Sequence, residues 1–347
     1  MKGRLVVLDQ IAGRLAAAML VDGRLDDLLI AAPEDRPVPG ALFRAVADRP
    51  MKGQGGLTLR LPDGGRAWLK QGKGIAPGTP LTVQVTGYAE AGKAVPVTAR
   101  LLFKSRHAIV TPDAPGFNVS RAIRDDDRRE ALLAIAHDVA GPPGDLGLIL
   151  RSAAADADDE EVATDIAAMM DLAARVVGEE GAEPALLVDG PDPHMLAWRD
   201  WPEPDSIATE PGAFSGHGLR DRIDDLSRPV VELPGGAWIA VEPTRALVAV
   251  DVNTGADGSL AAGLKANLAA VRALPAQLRC RGLGGQIVLD LAPMPRKDRL
   301  SLENALRAAF RADPVDTVLA GWTPLGHYEL QRKRERLPLT ETLGAAP

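Results

Sequence analysis

Two aspartates at the ends of apolar segments are the residues in this sequence best suited to bind a metal ion. Asp251 ends the apolar run LVAV and is followed by Asn253, whereas Asp290 ends the run QIVL. A helical segment with leucine and valine at spacings of three and four residues separates the runs, so neighbouring strands could bring the carboxylates together. Two carboxylates suit magnesium, which activates water for attack on phosphorus. The alternative is that both aspartates only cap strand ends and form turns.

A dense cationic segment near the end of the sequence, YELQRKRER, could contact phosphates. It contains Arg332, Lys333 and Arg334. Arginine can grip a phosphate with two hydrogen bonds, whereas a solvated helix face is the alternative interpretation of such a run. The net charge of −7 and a sequence pI near 5.4 by themselves argue against a nucleic-acid-binding protein. However, nine basic residues face six acidic ones between 296 and 336, so a polyanion could dock there locally.

The order of apolar patterns predicts the elements that would position these residues. The first 31 residues form short apolar runs separated by turn signals, which predict hairpin strands, and the Pro- and Gly-rich stretch 33–40 is typical of a linker. Short β-type runs between 41 and 103 predict a small barrel or a small β-sandwich. Helical patterns between 119 and 182 flank the apolar run LGLIL, and strand and helix patterns alternate from 235 onward. This last region predicts an α/β layer.

Composition excludes several classes of protein. The 347 residues, 46% of them hydrophobic and 25% charged, correspond to about two domains of ordinary globular protein rather than a disordered chain or a coiled coil. The single cysteine, Cys280, excludes an internal disulfide and a zinc site with several thiolates from one chain. No apolar run reaches the ~18 residues of a membrane span. We therefore expect a cytoplasmic protein without a membrane span.

Several sequence motifs, in order and at characteristic spacing, resemble the catalytic core of the ribonuclease E/G family. The resemblance extends upstream, where one segment is similar to the family's 5′-monophosphate sensor, another to the segment that enters the sensor, and a third occupies the place of its OB-type barrel. The core motifs are DVNTG (251–255), ANLAA (266–270), LRCRGLGGQIVLDL (278–291) and YELQRKR (328–334), and the upstream segments are LGLILRSAA (146–154), PGFNVSRAI (115–123) and 38–104.

The resemblance implies an α/β multidomain fold. It consists of an RNase H-like layer with an inserted OB-type β-barrel and sensor region, followed by a deoxyribonuclease-I-like α/β catalytic subdomain. The RNase H-like layer is split into two segments of the chain, which should pair with each other. The implied domains are the first RNase H-like segment (1–37), the RNA-binding barrel (38–104), the sensor region (105–182), the second RNase H-like segment (183–230) and the catalytic subdomain (231–347).

The resemblance also assigns roles to the catalytic and sensor residues. Asp251 and Asp290 match the two magnesium-binding aspartates, and Asn253 matches the asparagine that positions the aspartate and the scissile phosphate. Arg151 and Ser152 match the pair that receives the 5′-monophosphate, with serine in place of threonine. We expect both to stand at a surface pocket with free donors facing solvent.

Further RNA contacts are implied in the barrel and in the basic segment. Lys93 matches a lysine of the barrel that contacts RNA. Leu57 and Trp68 are the nearest matches to two phenylalanines that stack on bases, so the loss of one aromatic ring would weaken RNA capture. In the basic segment the implied contacts are Arg332, Lys333 and Arg334.

The implied function is that of a magnesium-dependent endoribonuclease in RNA processing or decay, including the processing of ribosomal RNA. It would cleave single-stranded, 5′-monophosphorylated RNA, and not DNA, to 5′-phosphate and 3′-hydroxyl ends. The alternative is a catalytically weak RNA-binding protein on the same scaffold. It is motivated by the acidic pI, the missing zinc link and a shortened loop after DVNTG. A further departure from the family is Pro275, which should interrupt a helix. With no cysteine after Cys280, we expect that any oligomer lacks the family's zinc link. The five histidines show no metal-ligand spacing and are interpreted as structural or solvent-facing.

Overall fold

The computed structural model describes residues 2–48, 55–90, 92–112, 114–142 and 144–344. The chain divides into two compact units, of which the first comprises residues 1–33 and 203–347 and the second residues 34–202. The division into five domains implied by the resemblance stays a prediction, and its outermost bounds, residues 1 and 347, lie outside the described residues.

The helices and strands are numbered in chain order. The strands are β1 (Arg4–Ile11), β2 (Arg14–Val21), β3 (Arg24–Ile30), β4 (Leu42–Ala47), β5 (Leu57–Arg60), β6 (Arg66–Leu69), β7 (Pro80–Val85), β8 (Val95–Thr98), β9 (Phe103–Lys104), β10 (Ala108–Thr111), β11 (Gly116–Val119), β12 (Gly147–Leu150), β13 (Ala185–Val188), β14 (Ser206–Ala208), β15 (Val230–Glu232), β16 (Trp238–Pro243), β17 (Val248–Asn253), β18 (Gly285–Asp290), β19 (Thr317–Trp322) and β20 (Tyr328–Arg332). The α-helices are α1 (Asp126–Ala140), α2 (Asp159–Val177), α3 (Pro193–Asp200), α4 (Ala213–Gly216), α5 (Leu219–Leu226), α6 (Leu260–Cys280), α7 (Arg299–Ala312) and α8 (Leu339–Thr342).

The first unit contains a four-stranded sheet in the order β14-β1-β2-β3. Strands β1, β2 and β3 form an antiparallel meander, as the turn signals predict. Strand β14 pairs in parallel with β1, and Leu5 lies opposite Ser206. The predicted pairing between the N-terminal segment and the region 183–230 is therefore confirmed.

A six-stranded sheet in the same unit carries the two candidate metal-binding aspartates. Its order is β15-β16-β17-β18-β20-β19, in which β17 and β18 run parallel and the other neighbours run antiparallel. Helix α6 links the parallel strands, because a parallel pair needs a long crossover. Buried residues of β17 and β18 pack with α6 and α7 in one hydrophobic core. The predicted α/β layer is confirmed.

Helix α6 runs without interruption from Leu260 to Cys280, although Pro275 lies inside it. The expectation that Pro275 breaks this helix is wrong. Proline removes one backbone donor, but here both its ring and the neighbouring Leu274 are buried, and this packing holds the helix together. The side chain of Ser259 caps the N-terminus by accepting a hydrogen bond from the N–H of Ala262.

The second unit contains a closed five-stranded barrel. Strands β4, β5, β6, β8 and β7 pair in that order, and β4 closes the barrel by pairing with β7, while β13 adds to the edge of β4. The sequence was compatible with either a barrel or a β-sandwich. The pairing of β4 with β7 shows that the strands form a barrel. It is OB-like in strand number, and its core is filled mainly by leucine, valine and alanine side chains, together with Phe43.

A second sheet in this unit has the order β11-β12-β10-β9 and packs against α1 and α2. An aspartate caps the N-terminus of each helix. Asp125 accepts a hydrogen bond from the N–H of Arg128, and Asp158 accepts one from the N–H of Glu160. The predicted helix, strand and helix pattern between 119 and 182 is thus confirmed. Over the described ranges of the whole chain, no helix is both long and apolar enough to cross a membrane.

Candidate active site

Asp251 and Asp290 lie side by side at the carboxyl ends of two neighbouring strands. They are register partners in the parallel pairing of β17 with β18. Partners in register point to the same face of a sheet, so the two carboxylates share one face. Both residues are exposed. The structure therefore brings together the two aspartates that the sequence singled out.

The alternation of burial along β17 explains why this face is open. Val248, Val250 and Val252 are buried in the core, whereas Asp251 and Asn253 point to the other side. The side-chain amide of Asn253 donates a hydrogen bond to Asp251 Oδ2 at 2.8 Å. Asn253 therefore orients the Asp251 carboxylate.

A buried asparagine in α6 holds the segment that follows Asp290. Asn267 Nδ2 donates to the carbonyl oxygen of Ala292, and Asn267 Oδ1 accepts from the N–H of Ala292, both at 2.9 Å. Gly263, one turn earlier, lets the helix approach the carbonyl oxygen of Pro293, which a Cβ at this position would meet. In the sequence Asn267 stands out only as part of the ANLAA motif. A polar residue on the apolar face of a helix was the signal that could have identified it.

His327, one of the five histidines expected to be structural or solvent-facing, is a neighbour of Asp290. It directly precedes β20, and its Nδ1 lies 3.3 Å from Asp290 Oδ1. This nitrogen is buried and has no hydrogen-bond partner among the described residues. Trp238 of β16 is also close, because it is the register partner of Asn253. The spacing of these two residues in the sequence does not predict that they lie near the aspartates. Only the pairing of the strands brings them to this edge of the sheet.

The donor set at this edge fits a magnesium ion. Magnesium is usually held by one or two carboxylates, while waters and substrate phosphates supply the other oxygens. Asp251 and Asp290 provide two adjacent exposed carboxylates, and His327 Nδ1 lies 3.3 Å from Asp290 Oδ1. Within the described ranges there is no group of three or more histidine, cysteine, aspartate or glutamate side chains that could hold a metal. Two protein ligands are thus what this edge offers.

The basic segment is mostly not a solvated surface. Arg332 is 2% exposed, and its guanidinium bonds to Asp313 Oδ1 at 3.1 Å and to Thr317 Oγ1 at 2.9 Å. The burial of this guanidinium and its pairing with Asp313 argue against a direct phosphate contact. The RNA contact at Arg332 stays a prediction. Arg334 packs its guanidinium over the backbone of Gly285 and is half-buried.

Lys333 is the member of the basic segment that is exposed. Its ammonium lies 2.7 Å from Glu335 Oε1, and nearly half of its side chain is accessible. The predicted RNA contacts at Lys333 and Arg334 stay predictions.

Arg332 belongs to a network of buried charges that joins α6, β3 and the segment around Asp313. Arg279 Nη1 donates to Asp313 Oδ2 at 2.7 Å, and Arg336 Nη2 donates to Asp27 Oδ2 at 2.9 Å. Burial by itself raises the pKa of Asp27, but the charge and hydrogen bonds of Arg336 outweigh burial and leave that pKa below its usual value. Buried charges must be paired in this way, and the arginines therefore serve the fold.

The predicted sensor residues lie at the end of β12 in the second unit. Arg151 Nη1 donates to three backbone carbonyl oxygens, including those of Arg106 at 3.2 Å and Arg199 at 3.1 Å. Arg151 Nη2 donates to Asp200 Oδ1 at 2.9 Å. The expectation that Arg151 presents free donors to solvent is wrong, because its Nη1 and Nη2 already donate hydrogen bonds to protein acceptors. Ser152 is exposed.

In the barrel, Trp68 and Leu57 have different environments. Leu57 is buried in the barrel core, so it is unable to stack on a base. Trp68 lies on β6 and is half-buried, and its ring covers Gly56. Lys93 is exposed, with its ammonium 2.5 Å from Glu90 Oε2. The predicted RNA contacts at Trp68 and Lys93 stay predictions.

Comparison with known proteins supports the resemblance seen in the sequence. The family model described as the Ribonuclease E/G family matches residues 103–209 and 204–335. The chain is 28% identical to Ribonuclease E of Nostoc sp. over 311 residues, which cover 78% of this chain and 45% of that protein. It is 28% identical to Ribonuclease G of Salmonella typhimurium over 304 residues, 76% of this chain and 61% of the relative.

A third relative is Ribonuclease G of Escherichia coli, which is 26% identical over 310 residues, 78% of this chain and 62% of the relative. The chain thus spans about half to three fifths of the length of these relatives. Because the family model matches more than half of the chain, the chain belongs to the ribonuclease E/G family.

Proposed function

We propose that this chain is an endoribonuclease that cleaves single-stranded RNA and holds a magnesium ion between Asp251 and Asp290. The observation that carries the proposal is the parallel register that places these two exposed carboxylates side by side. Family membership and the printed names of the relatives support RNA as the substrate. We further propose that the activity serves RNA processing or decay.

The chain's own residues would orient the reacting groups. Asn253 fixes one oxygen of Asp251, and Asn267 fixes the backbone two residues after Asp290, so the Asp251 carboxylate and the strand end that carries Asp290 are held before substrate binds. When bound, magnesium lowers the pKa of a water molecule and offsets negative charge on the phosphate. The exposed ammonium of Lys333 would attract the RNA backbone electrostatically.

We propose 5′-phosphate and 3′-hydroxyl products, single-stranded RNA rather than DNA as substrate, and recognition of a 5′-monophosphate near Arg151. We also propose that the four-stranded sheet of the first unit is RNase H-like and that its six-stranded sheet is deoxyribonuclease-I-like. The cytoplasmic location expected from the single cysteine stays a prediction.

Product analysis tests this function. The chain would be incubated with Mg²⁺ and a single-stranded oligoribonucleotide, and in parallel with DNA of the same sequence. Mass spectrometry should find internal cleavage of the RNA alone, with a 5′-phosphate on the downstream fragment. Binding of the RNA without any cleavage would instead support the alternative of a catalytically weak RNA-binding protein.

A further inference from the structure

One carboxylate in the second unit is surrounded by three cationic side chains. Asp200 Oδ1 lies 2.7 Å from Lys104 Nζ and accepts a hydrogen bond from Arg151 Nη2 at 2.9 Å. Asp200 Oδ2 accepts two hydrogen bonds from Arg199, from Nε at 3.1 Å and from Nη2 at 2.8 Å. We call Lys104, Arg151, Arg199 and Asp200 the Asp200 cluster.

The sheet brings Lys104 and Arg151 together, and backbone groups other than Asp200 hold Arg151 in place. Lys104 ends β9 and Arg151 follows β12, and both strands flank β10 in one sheet. Three backbone carbonyl oxygens fix the guanidinium of Arg151 through its Nη1. The cations are also largely withdrawn from water, since side-chain exposure is 34% for Lys104 and 19% for Arg151. Burial lowers the pKa of the Lys104 ammonium and of the Arg151 guanidinium, which reflects the cost of desolvating them.

The position of Asp200 itself is electrostatically unfavourable without these partners. Asp200 is the last residue of α3, and the C-terminal end of a helix disfavours negative charge. Burial by itself raises its pKa, but hydrogen bonds and charges from Arg199 and Lys104 outweigh burial and lower the pKa to about 2. The carboxylate is therefore ionised and held by the cations, not by its own helix.

The charges of the cluster do not balance. Three cations face one carboxylate, which leaves an excess of two positive charges in a half-buried site. A terminal phosphate carries a charge of about −1.5 to −2 at neutral pH and has three strong acceptor oxygens. A phosphate monoester therefore matches the three cations better than the carboxylate does, both in charge and in number of acceptors.

We propose that Asp200 is an internal anion that competes with the 5′-phosphate of RNA for Lys104, Arg151 and Arg199, and so determines how strongly the chain distinguishes phosphorylated from hydroxyl 5′ ends. This inference rests on the proposed function for the identity of the ligand as RNA. A phosphate must displace the Asp200 carboxylate before it gains the same hydrogen bonds. Wild-type protein therefore discriminates weakly between the two ends, and removal of the carboxylate uncovers the discrimination.

The main test is a binding measurement that needs neither metal nor cleavage. Fluorescence anisotropy in EDTA would compare 3′-labelled 2′-O-methyl oligonucleotides that carry either a 5′-phosphate or a 5′-hydroxyl. In wild-type protein we expect the two dissociation constants to differ by less than about threefold, and in Asp200→Asn by about tenfold or more in favour of the phosphate. The double variant Asp200→Asn with Arg151→Gln should return to the wild-type ratio.

A second measurement decides the inference even if the chain binds no oligonucleotide, which would count against the proposed function alone. Inorganic phosphate, at the same ionic strength as a chloride control, should raise the melting temperature of Asp200→Asn more than that of wild type. The matched control is Glu179→Gln, which removes a carboxylate 2.8 Å from Arg44 in the same unit and should behave as wild type. Equal phosphate responses of wild type and Asp200→Asn, or equal discrimination ratios where both bind the oligonucleotides, overturn the inference.

Discussion

The side-chain amide of Asn267 holds the backbone of Ala292 in both directions, two residues after the candidate metal ligand Asp290. Asn267 is completely buried in α6, so these hydrogen bonds form away from water. A helix that crosses between two parallel strands thus fixes the end of the strand that follows it. The candidate metal site and the core of the first unit therefore depend on the same residue.

We expect Asn267→Ala to lower both stability and cleavage. The substitution leaves the N–H and carbonyl of Ala292 without their partner, which costs about 1 to 3 kcal/mol per buried group. Because Asp290 then loses its support, the Mg²⁺ concentration for half-maximal cleavage should also rise. Asn304→Ala is the matched control, since Asn304 is an exposed helical asparagine. If Asn267→Ala unfolds at the same denaturant concentration as wild type, the positioning role is wrong.

Two neighbours in the basic segment should behave in opposite ways. Arg332→Gln should destabilise the first unit by about 3 kcal/mol, because the buried carboxylate of Asp313 then loses one of the positive charges that pair with it. Lys333→Ala should change stability by less than about 0.5 kcal/mol. It should nevertheless flatten the slope of log affinity for RNA against log salt concentration by about 0.7. Denaturation and salt titration of each variant check the pair, and the reverse pattern would contradict the burial argument.

The two candidate stacking positions in the barrel should also separate. Trp68→Ala should weaken binding of single-stranded RNA by about 1 to 3 kcal/mol, whereas Trp68→Phe keeps a ring and should lose less. Leu57→Ala should instead destabilise the barrel by about 2 to 5 kcal/mol, because the side chain fills its core. Affinity measured in EDTA and unfolding measured by circular dichroism distinguish these effects. Unchanged affinity in Trp68→Ala would exclude Trp68 from the RNA path.

The pKa of Asp200 predicts how stability depends on pH. This pKa is lowered from 3.8 to about 2, so the stabilising contribution of Asp200 is fully present above the unfolded-state pKa and is lost as the pH falls through 2. Between pH 5 and pH 2, wild type should therefore lose on the order of 2 kcal/mol more stability than Asp200→Asn. Urea denaturation at both pH values measures the difference. Parallel losses in the two proteins would contradict the ion pairing with Lys104, Arg151 and Arg199.

The pairing of Asp251 with Asp290 at one sheet edge could be predicted from sequence because its information is local. Asp251 and Asp290 each follow an apolar run, and strand, helix and strand in succession imply a parallel pair. In the structure Asp290 ends β18, and Asp251 lies two residues before the end of β17. The buried arginines could not be predicted in this way, since Arg336 pairs with Asp27, which lies far away in the sequence. A run of charges is typical of solvated surface, and only the packing of distant elements shows otherwise. The ion pair between Arg151 and Asp200 was missed for the same reason.

The measurement that tests the central claim most directly is Mg²⁺-dependent cleavage by Asp251→Asn. The substrate is a 5′-monophosphorylated single-stranded oligoribonucleotide, and the control is Glu242→Gln, which removes an exposed carboxylate from the neighbouring strand β16. Asp251→Asn should cleave about 100-fold more slowly than wild type or worse, while its affinity for RNA in EDTA stays unchanged. Glu242→Gln should retain wild-type cleavage. Wild-type cleavage by Asp251→Asn would contradict the assignment of Asp251 and Asp290 as the shared magnesium site.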